Sequence, residues 1–265
     1  MVIKGVLRDI SPLGFIAARF LVAAPVIFLI YRKKLNRAAL WPGVLTGVLL
    51  FLGFVLQTEG LALTTPSKSA FLTGLSVAMV PFANSLVYGT RPRKFEVIGV
   101  VVASLGMALM TLPSGKFEMT TGDFLSLLCA IAFAFHFVVN GHYSSTLGFE
   151  TIAVMQIGTA AVLGSLSALL THSVQFRPSP GLAVAVVATG LLATALAFTT
   201  MAWAQQFTTP VRAALILALE PAVAWCAAWV VMGEVLTGRG KIGAGLILAG
   251  VLLVELKHSK PETNL

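Results

Sequence analysis

Long apolar runs separated by short polar gaps dominate the sequence. Nine of these runs approach the roughly 20 residues that a helix needs to cross the ~30 Å hydrocarbon core of a bilayer. The predicted spans are Pro12–Tyr31, Trp41–Leu63, Ser69–Gly89, Glu96–Leu112, Gly122–Asn140, Glu150–Leu170, Gly181–Ala204, Val211–Gly233 and Gly238–Leu256. The gaps are too short for a soluble domain, so neighbouring helices must pack antiparallel. This pattern predicts an all-α membrane protein with nine transmembrane helices.

An internal repeat relates the two ends of the chain. A shift of 144 residues (208 minus 64) places Thr64-Thr65-Pro66 on Thr208-Thr209-Pro210, and no gap is needed from residue 64 to residue 112. Further matches in this register are Ala70 with Ala214, Gly89 with Gly233, Ile98-Gly99 with Ile242-Gly243, and Gly106 with Gly250. Several matches in one register indicate duplication.

The placement of the repeat predicts the relative orientation of its copies. The first Thr-Thr-Pro gap joins the second and third spans, and its copy joins the seventh and eighth. Five crossings separate these gaps, so they lie on opposite faces of the membrane. We therefore predict an inverted repeat, an architecture that recurs in secondary transporters, with halves at residues 1–112 and 113–265.

One predicted span has no partner in the repeat. The counterpart of Gly122–Asn140 would lie upstream of Met1. We therefore expect a ten-helix architecture of five plus five helices that lacks its first helix here. Val2-Ile3-Lys4-Gly5 would be the tail of that helix.

Composition and charge agree with a membrane protein. Charged residues make up 11% of the chain and the mean hydropathy is +0.93, whereas soluble domains carry roughly 25% charged residues. The net charge of +8 comes from basic clusters in short gaps, as at Arg32, Lys33, Lys34 and Arg37. Such clusters are typical of cytoplasmic loops and do not indicate nucleic-acid binding.

The distribution of basic residues predicts which face is cytoplasmic. The gaps after odd-numbered spans, with the C-terminal tail, hold ten basic residues, and the other face holds seven. The first face is therefore the predicted cytoplasmic side of an inner membrane. No metal or cofactor site is expected, because Cys129 and Cys226 lie in apolar runs without ligand-type spacing.

Several motifs together resemble the EamA-type branch of the drug/metabolite transporter superfamily. They are Leu56-Gln57-Thr58, Gly60-Leu61, Thr64-Thr65, Ser69-Ala70-Phe71-Leu72-Thr73-Gly74-Leu75, Val80-Pro81, Gly122-Asp123, Leu219-Glu220-Pro221 and Gly233-Glu234. The resemblance covers essentially the whole chain. It implies ten helices in two inverted halves, which move amino acids, sugars, nucleotide sugars, drugs or other metabolites along a central path. The chain departs from the pattern in three ways. Thr90 stands at the first-half position that matches Glu234, and Glu59 stands where an apolar residue is expected. The first helix is missing.

Ionisable residues inside the spans are candidates for a substrate path, since such charges cost at least ~2.5 kcal/mol in a membrane. Glu220 lies about 14 Å into its span, near mid-bilayer. Pro221 cannot donate to the helix ladder and should free the carbonyl group of Leu217. A structural carboxylate paired across helices is the alternative for Glu220. Glu59 could instead reach the interface, and Arg19 could pair with either carboxylate.

Other polar side chains within or next to the spans are further candidates. His136 could transfer protons near neutral pH, or it could be a hydrogen-bonded packing residue. The uncharged candidates for the substrate path are Gln57, Asn84, Asn140, Trp203 and Gln205. Hydrogen bonding between helices is an equal alternative for each of them. Pro81 and Pro221 are the predicted helix breaks.

These features predict a secondary transporter that works by alternating access without ATP, since no Walker-type loop is present. It would export a small metabolite, amino acid or drug-like solute across the inner membrane. A membrane-embedded enzyme and a truncated inactive relative or assembly partner are the alternatives. Its partners would be a small-molecule solute and the lipid bilayer, and no nucleic acid is expected. Proton coupling through Glu220 or Glu59, and a homodimer through Gly43-x-x-x-Gly47, remain open.

Overall fold

The computed structural model describes residues 8–112, 119–171, 177–232 and 237–258, and its fold is all-helical. The helices are α1 (Pro12–Tyr31), α2 (Leu40–Leu63), α3 (Pro66–Gly74), α4 (Ser76–Tyr88), α5 (Lys94–Thr111), α6 (Thr121–Leu147), α7 (Phe149–Leu170), α8 (Pro180–Gly190), α9 (Ala197–Ala204), α10 (Pro210–Leu217), α11 (Glu220–Met232) and α12 (Gly238–His258). A π-helical segment, Leu191–Leu196, joins α8 to α9.

Seven helical segments are long and apolar enough to cross a membrane. They are Pro12–Lys34, Arg37–Leu63, Pro66–Tyr88, Lys94–Thr111, Thr121–Leu147, Phe149–Leu170 and Pro180–Ala204. The remaining described helices, α10 to α12, lie where the last two spans are predicted. The prediction of an all-α protein with several membrane-spanning helices is therefore confirmed.

A repeated pair of residues starts four of these helices. Ser11, Thr65, Ser179 and Thr209 each cap a helix with the side-chain oxygen, and a proline follows directly at the first helical position. The cap oxygen accepts a bond from a free amide of the first turn, and proline has no amide to leave unpaired. The third span therefore begins at Pro66, three residues before the predicted Ser69.

The predicted end of α6 at Asn140 is wrong, because the helix continues to Leu147. Polar residues 140–146 suggest a helix end when the sequence is considered alone. Asn140 and Ser144 are fully buried, however, and His142 stacks on Tyr88 of α4 with ring centres 4.3 Å apart. Packing inside the protein therefore extends the helix by two turns.

Two ion pairs join helix ends that carry basic residues. Lys34, after α1, forms an ion pair of 3.3 Å with Glu150 at the start of α7. Arg212 of α10 forms one of 2.8 Å with Glu255 near the end of α12. We call these helix ends, together with the ends of α4 and α6, the basic face. The opposite face holds Asp123, whose carboxylate caps α6.

The carboxylate of Asp123 ties three helix ends together on that opposite face. It accepts hydrogen bonds from the backbone of Thr120 at 2.9 Å and from Thr64 Oγ1 at 2.5 Å, and it pairs with Lys68 at 3.2 Å. Asp123 thus caps the start of α6, where the helix dipole favours a carboxylate. The end of α2 and the start of α3 are held against the start of α6.

Two large apolar cores each contain helices from both halves of the sequence, and a small third cluster joins α1 to α8 around Phe15 and Leu182. The first core joins α4 and α5 with α10 and α12, around Val80 and Leu215. The second core joins α1 and α2 with α7, around Phe20 and Ile157. Helix α6 contributes Val138 to the first core and other side chains to the second. It therefore lies between them.

Close helix contacts depend on small residues. A Cβ atom on Gly99 of α5 would lie 2.7 Å from the carbonyl oxygen of Gly250 of α12, and one on Gly250 would lie 2.5 Å from that of Gly99. In the same way, a Cβ atom on Gly106 would lie 2.5 Å from the carbonyl oxygen of Gly243, and one on Gly243 would lie 2.5 Å from that of Gly106. Backbone carbonyls cannot yield to a methyl group, so glycine is needed at these crossings.

The Gly43-x-x-x-Gly47 motif packs inside the chain. A Cβ atom on Gly43 would lie 2.5 Å from Met155 Cβ, and one on Gly47 would lie 2.6 Å from Thr159 Cβ, both on α7. The motif thus brings α2 close to α7. This contact accounts for the small residues without a second copy of the chain.

The third and eighth predicted spans are both interrupted. Leu75 separates α3 from α4, and Ala218 and Leu219 separate α10 from α11. Leu219 is the residue that the repeat places on Leu75 (75 plus 144). Pro221 is the second residue of α11, directly after the second interruption, whereas Pro81 lies inside α4, six residues beyond the first. The first interruption is therefore at Leu75 and not at Pro81.

Candidate functional site

The most strongly buried polar residues of the chain include a row along one side of α6. His136, Asn140 and Ser144 are spaced four residues apart, which places them above one another on a helix. Each is 0% exposed. We call these three residues the polar stripe. His136 lies about 16 Å from the basic-face end of α6, so the stripe runs from mid-helix toward that face.

The polar stripe bonds to two neighbouring helices. His136 Nε2 lies 2.9 Å from Oε1 of Gln156 on α7, which is also fully buried. Asn140 Nδ2 donates to Oε1 of Gln205 at the end of α9. Gln205 Nε2 in turn donates to the carbonyl oxygen of Phe137 over 3.1 Å. Two of the predicted candidates, Asn140 and Gln205, thus meet directly.

Several buried polar atoms of this network have no hydrogen-bond partner among the residues that the structure describes. They are His136 Nδ1, Asn140 Oδ1, Ser144 Oγ and Gln156 Nε2. Because an amide oxygen only accepts, His136 Nε2 donates to Gln156 and Nδ1 offers a lone pair. The spare groups are therefore two acceptors, one amide donor and one hydroxyl. Buried polar groups are normally paired, so this concentration marks a place where a polar ligand or water can bind.

An aromatic cluster adjoins the polar stripe. The Phe198 ring of α9 lies edge-on to His136, with centres 5.8 Å apart, and edge-on to Phe54 of α2 at 5.6 Å. Phe54 makes further edge contacts with Phe20 at 5.3 Å and Phe133 at 5.4 Å. We call Phe20, Phe54, Phe133 and Phe198 the aromatic cluster. It provides apolar surface of the kind that lines small-molecule sites.

Arg19 of α1 lies on the other side of the aromatic cluster. Its guanidinium carbon is 4.4 Å from the centre of the Phe54 ring, a cation–π distance. The side chain donates to Thr194 Oγ1 from Nε at 3.0 Å and from Nη2 at 2.7 Å. Arg19 is 3% exposed. The ion pairs of the described residues do not include Arg19, so the pairing with Glu59 or Glu220, one of the alternatives open from the sequence, is not formed there.

The two predicted carboxylates lie apart from this network. Glu59 of α2 is half-buried. Glu220 is exposed and is the first residue of α11, directly after the interruption. Neither makes a hydrogen bond to the polar stripe in the described part of the chain. The sequence made all three candidates for one path, but the hydrogen bonds of the described residues do not join the two carboxylates to His136.

The remaining predicted candidates, Gln57, Asn84 and Trp203, lie outside the polar stripe. Gln57 is half-buried, and Asn84 Nδ2 donates to Thr90 Oγ1 over 2.6 Å at the end of α4. Trp203 is 49% exposed and lies edge-on to Phe207, with centres 5.5 Å apart. It lines an apolar groove of about 580 Å³ between α1 and the π-helical segment. These residues are therefore not part of the polar stripe.

Gln156 belongs to the site but was not predicted. It lies seven residues into α7, in a predicted span, and its amide was as visible as that of Gln57. A four-residue spacing of polar residues along α6 was also visible in the sequence. Only the packing of α7 on α6 shows that Gln156 faces this row. In the part of the chain that the structure describes, no three His, Cys, Asp or Glu residues meet in a possible metal site.

A helical fold with seven segments long and apolar enough to cross a membrane, and with polar groups buried between apolar cores, is that of a multi-pass membrane protein. The sequence profile of the EamA-like transporter family matches residues 1–112 and 120–256. The chain belongs to this family, and the resemblance seen in its motifs is confirmed.

Relatives and a solved structure agree with this assignment. A protein of Archaeoglobus fulgidus named "Uncharacterized transporter" is 31% identical over 97% of this chain and 80% of its own. "Uncharacterized transporter YoaV" of Bacillus subtilis is 24% identical over 96% of this chain and 90% of its own. A solved structure titled "Crystal structure of protein" has a TM-score of 0.79 at 18% identity, covering 96% of this chain and 93% of that one. The last shows a shared fold.

Proposed function

We propose that the protein is a secondary transporter that exports a small metabolite, amino acid or drug-like solute across the inner membrane by alternating access. The observation that carries this proposal is the polar stripe, with its unpartnered groups, on the helix between the two cores. Unpaired polar groups in a membrane protein are costly and mark solute pathways. The family and the names of the relatives indicate a transporter.

The glycine contacts support an inverted repeat. Gly99 meets Gly250, and a shift of 144 residues converts this pair into Gly243 with Gly106, which also meet. If a twofold axis relates α5 to α12, the contact of Gly99 with Gly250 must recur as a contact of Gly243 with Gly106. The matching interruptions at Leu75 and Leu219, and the two stretches matched by the family profile, support the same division. We therefore propose nine spans in two inverted halves, residues 1–112 and 113–265.

The packing suggests which bodies move. Each core contains helices from both halves, so the halves cannot move as separate sequence blocks. We propose that the first core tilts relative to the second about α6. The polar stripe then opens alternately to the two faces of the membrane. This motion would need no ATP.

Glu220 is proposed to face a hydrated part of the path. It is exposed at an interruption near mid-span, and a carboxylate that faces lipid costs at least ~2.5 kcal/mol. Water at the interruption between α10 and α11 would remove this cost. Proton coupling at Glu220, and less directly at Glu59, belongs to the same proposal.

Transport by the purified full chain tests the proposed function. The protein is reconstituted into lipid vesicles without ATP, and uptake of pooled radiolabelled amino acids, organic acids and amines is measured in a pH gradient. We expect saturable uptake of at least one pool. The matched control is Asn140→Leu, which removes an unpartnered acceptor of the stripe. Absence of uptake from all pools, or equal uptake by Asn140→Leu vesicles, would contradict the proposal.

A further inference from the structure

Arg19 is a cation buried in a predicted membrane span, and no carboxylate of the described residues forms an ion pair with it. It is 3% exposed, and the ion pairs of the described residues are Lys34–Glu150, Lys68–Asp123 and Arg212–Glu255. Arg19 lies about 10 Å along α1 from Pro12. A long basic side chain this deep is rare in membrane helices and is usually paired or functional.

Neutral groups hold the guanidinium in place. Thr194 Oγ1 accepts two of its hydrogen bonds, at 3.0 and 2.7 Å, and the carbonyl oxygen of Ala193 accepts a third at 3.3 Å. The faces of Phe54 and Phe20 lie 4.4 and 5.7 Å from its central carbon. These contacts fix the position of the charge but supply no opposite charge. The site therefore has a net positive charge in a low-dielectric place.

The backbone next to Arg19 is built in an unusual way. Ala193 and Thr194 belong to the π-helical segment, and the Thr194 hydroxyl also donates to the carbonyl oxygen of Thr189 over 2.8 Å. π-Helical turns are rare and frequently occur at functional sites. Here the wider turn supplies both oxygen acceptors that orient the guanidinium.

The cation and the polar stripe share the aromatic cluster. Phe54 contacts Arg19, and Phe198 contacts both Phe54 and His136. A solute whose apolar part packs on these rings could therefore place one end at Arg19 and another at the stripe. The stripe offers uncharged donors and acceptors, and Arg19 offers charge.

We propose that the transported solute is an organic anion whose carboxylate or phosphate group is bound by Arg19 and whose apolar part packs on the aromatic cluster. Guanidinium groups bind both kinds of oxyanion through paired N–H donors. This inference rests on the proposed function, because it names the class of solute for that path. It also explains why no carboxylate in the described part of the chain pairs with this buried cation.

Thermal melting of the purified full chain in detergent tests this class. The probes share one ring and differ in charge: 3-phenylpropionate, 3-phenylpropionamide, 3-phenylpropylamine and phenyl phosphate. We expect one or both anions to raise the Tm, with an affinity about ten- to hundredfold above that of the amide, the usual effect of a hydrogen bond to a charged group. The amine should have no effect.

Arginine variants assign the effect to a residue. Arg19→Gln should abolish the preference, so that the anion and the amide bind with about equal affinity. Arg212→Gln makes the same chemical change at an arginine paired with Glu255, and should leave the preference unchanged. If Arg19→Gln does not fold, Arg19→Lys keeps the charge without the planar donor pair. It should keep the preference for the anion with a lower affinity.

Several results would overturn the inference. They are equal stabilisation by the amide or the amine, no stabilisation by either anion, and an anion preference that survives in Arg19→Gln. Stabilisation by phosphatidylglycerol with no response to the soluble anions would assign Arg19 to a lipid headgroup and also overturn it. Transport separates the two proposals. Anion binding at Arg19 without uptake into vesicles would defeat the proposed function alone, and uptake restricted to neutral or cationic probes would defeat this inference alone.

Discussion

His136 Nε2 on α6 lies 2.9 Å from Gln156 Oε1 on α7, and both side chains are fully buried. The bond joins the helix shared by the two cores to a helix of the second core. It also leaves His136 Nδ1 and Gln156 Nε2 without partners in the protein. The same pair therefore serves the packing of the helices and provides groups for the proposed solute path.

Variants of this pair should separate stability from transport. His136→Phe leaves the Gln156 oxygen buried without a donor, so we expect the free energy of unfolding to fall by about 1–3 kcal/mol. Adding Gln156→Leu removes the stranded group, and the double variant should regain part of that stability. Unfolding is measured by titration with sodium dodecyl sulfate in mixed micelles. Transport per folded molecule should stay low in the double variant, and full recovery would limit the pair to a structural role.

The crossing of α5 and α12 should be sensitive to added methyl groups. Gly99→Ala and its repeat partner Gly243→Ala should each lower the free energy of unfolding by about 1–3 kcal/mol, because their new Cβ atoms meet backbone carbonyls. Gly245→Ala is the matched control. It lies two residues from Gly243 on α12, and no described atom of another helix lies within 4 Å of the added carbon. It should be neutral. A large difference between Gly99→Ala and Gly243→Ala would count against the twofold relation.

The proposed role of Glu220 predicts an effect on transport without one on folding. Because the carboxylate is exposed, Glu220→Gln should leave expression and melting unchanged. Uptake per folded molecule should fall by about tenfold or more, the effect of losing ~1.4 kcal/mol of interaction in the transport cycle. Glu96→Gln is the control, since glutamine at this helix start still accepts the bond from Arg93 N. An unchanged rate and pH dependence in Glu220→Gln would rule out an ionisable role.

The basic face should lie in the cytoplasm. Single cysteines replace Lys33, Arg91 or Arg177 in a chain carrying Cys129→Ala and Cys226→Ala, and an impermeant maleimide is added to intact expressing cells. All three side chains are exposed, so labelling reports access from the outside. We expect labelling at position 177 and protection at positions 33 and 91 until the cells are lysed. The reverse pattern would invert the predicted orientation.

The sequence by itself determined that the fold is all-helical and located seven segments long and apolar enough to cross a membrane. In a bilayer each helix must satisfy its own backbone, so length and hydropathy are enough to locate it. Ser11-Pro12 marks a helix start by local chemistry alone, whereas the start at Thr65-Pro66 was predicted three residues too late. The register of the repeat was also visible, since it needs only matching residues.

Only the tertiary structure decided which polar groups meet. His136 and Gln156 are 20 residues apart, Asn140 and Gln205 are 65 apart, and Arg19 and Thr194 are 175 apart. Hydropathy is nearly the same all round a membrane helix, so it does not show which side faces a neighbour. That rotation is set by close packing, as where Gly47 seats α2 against α7 beside Gln156. For the same reason Glu220 had a visible depth but no visible direction.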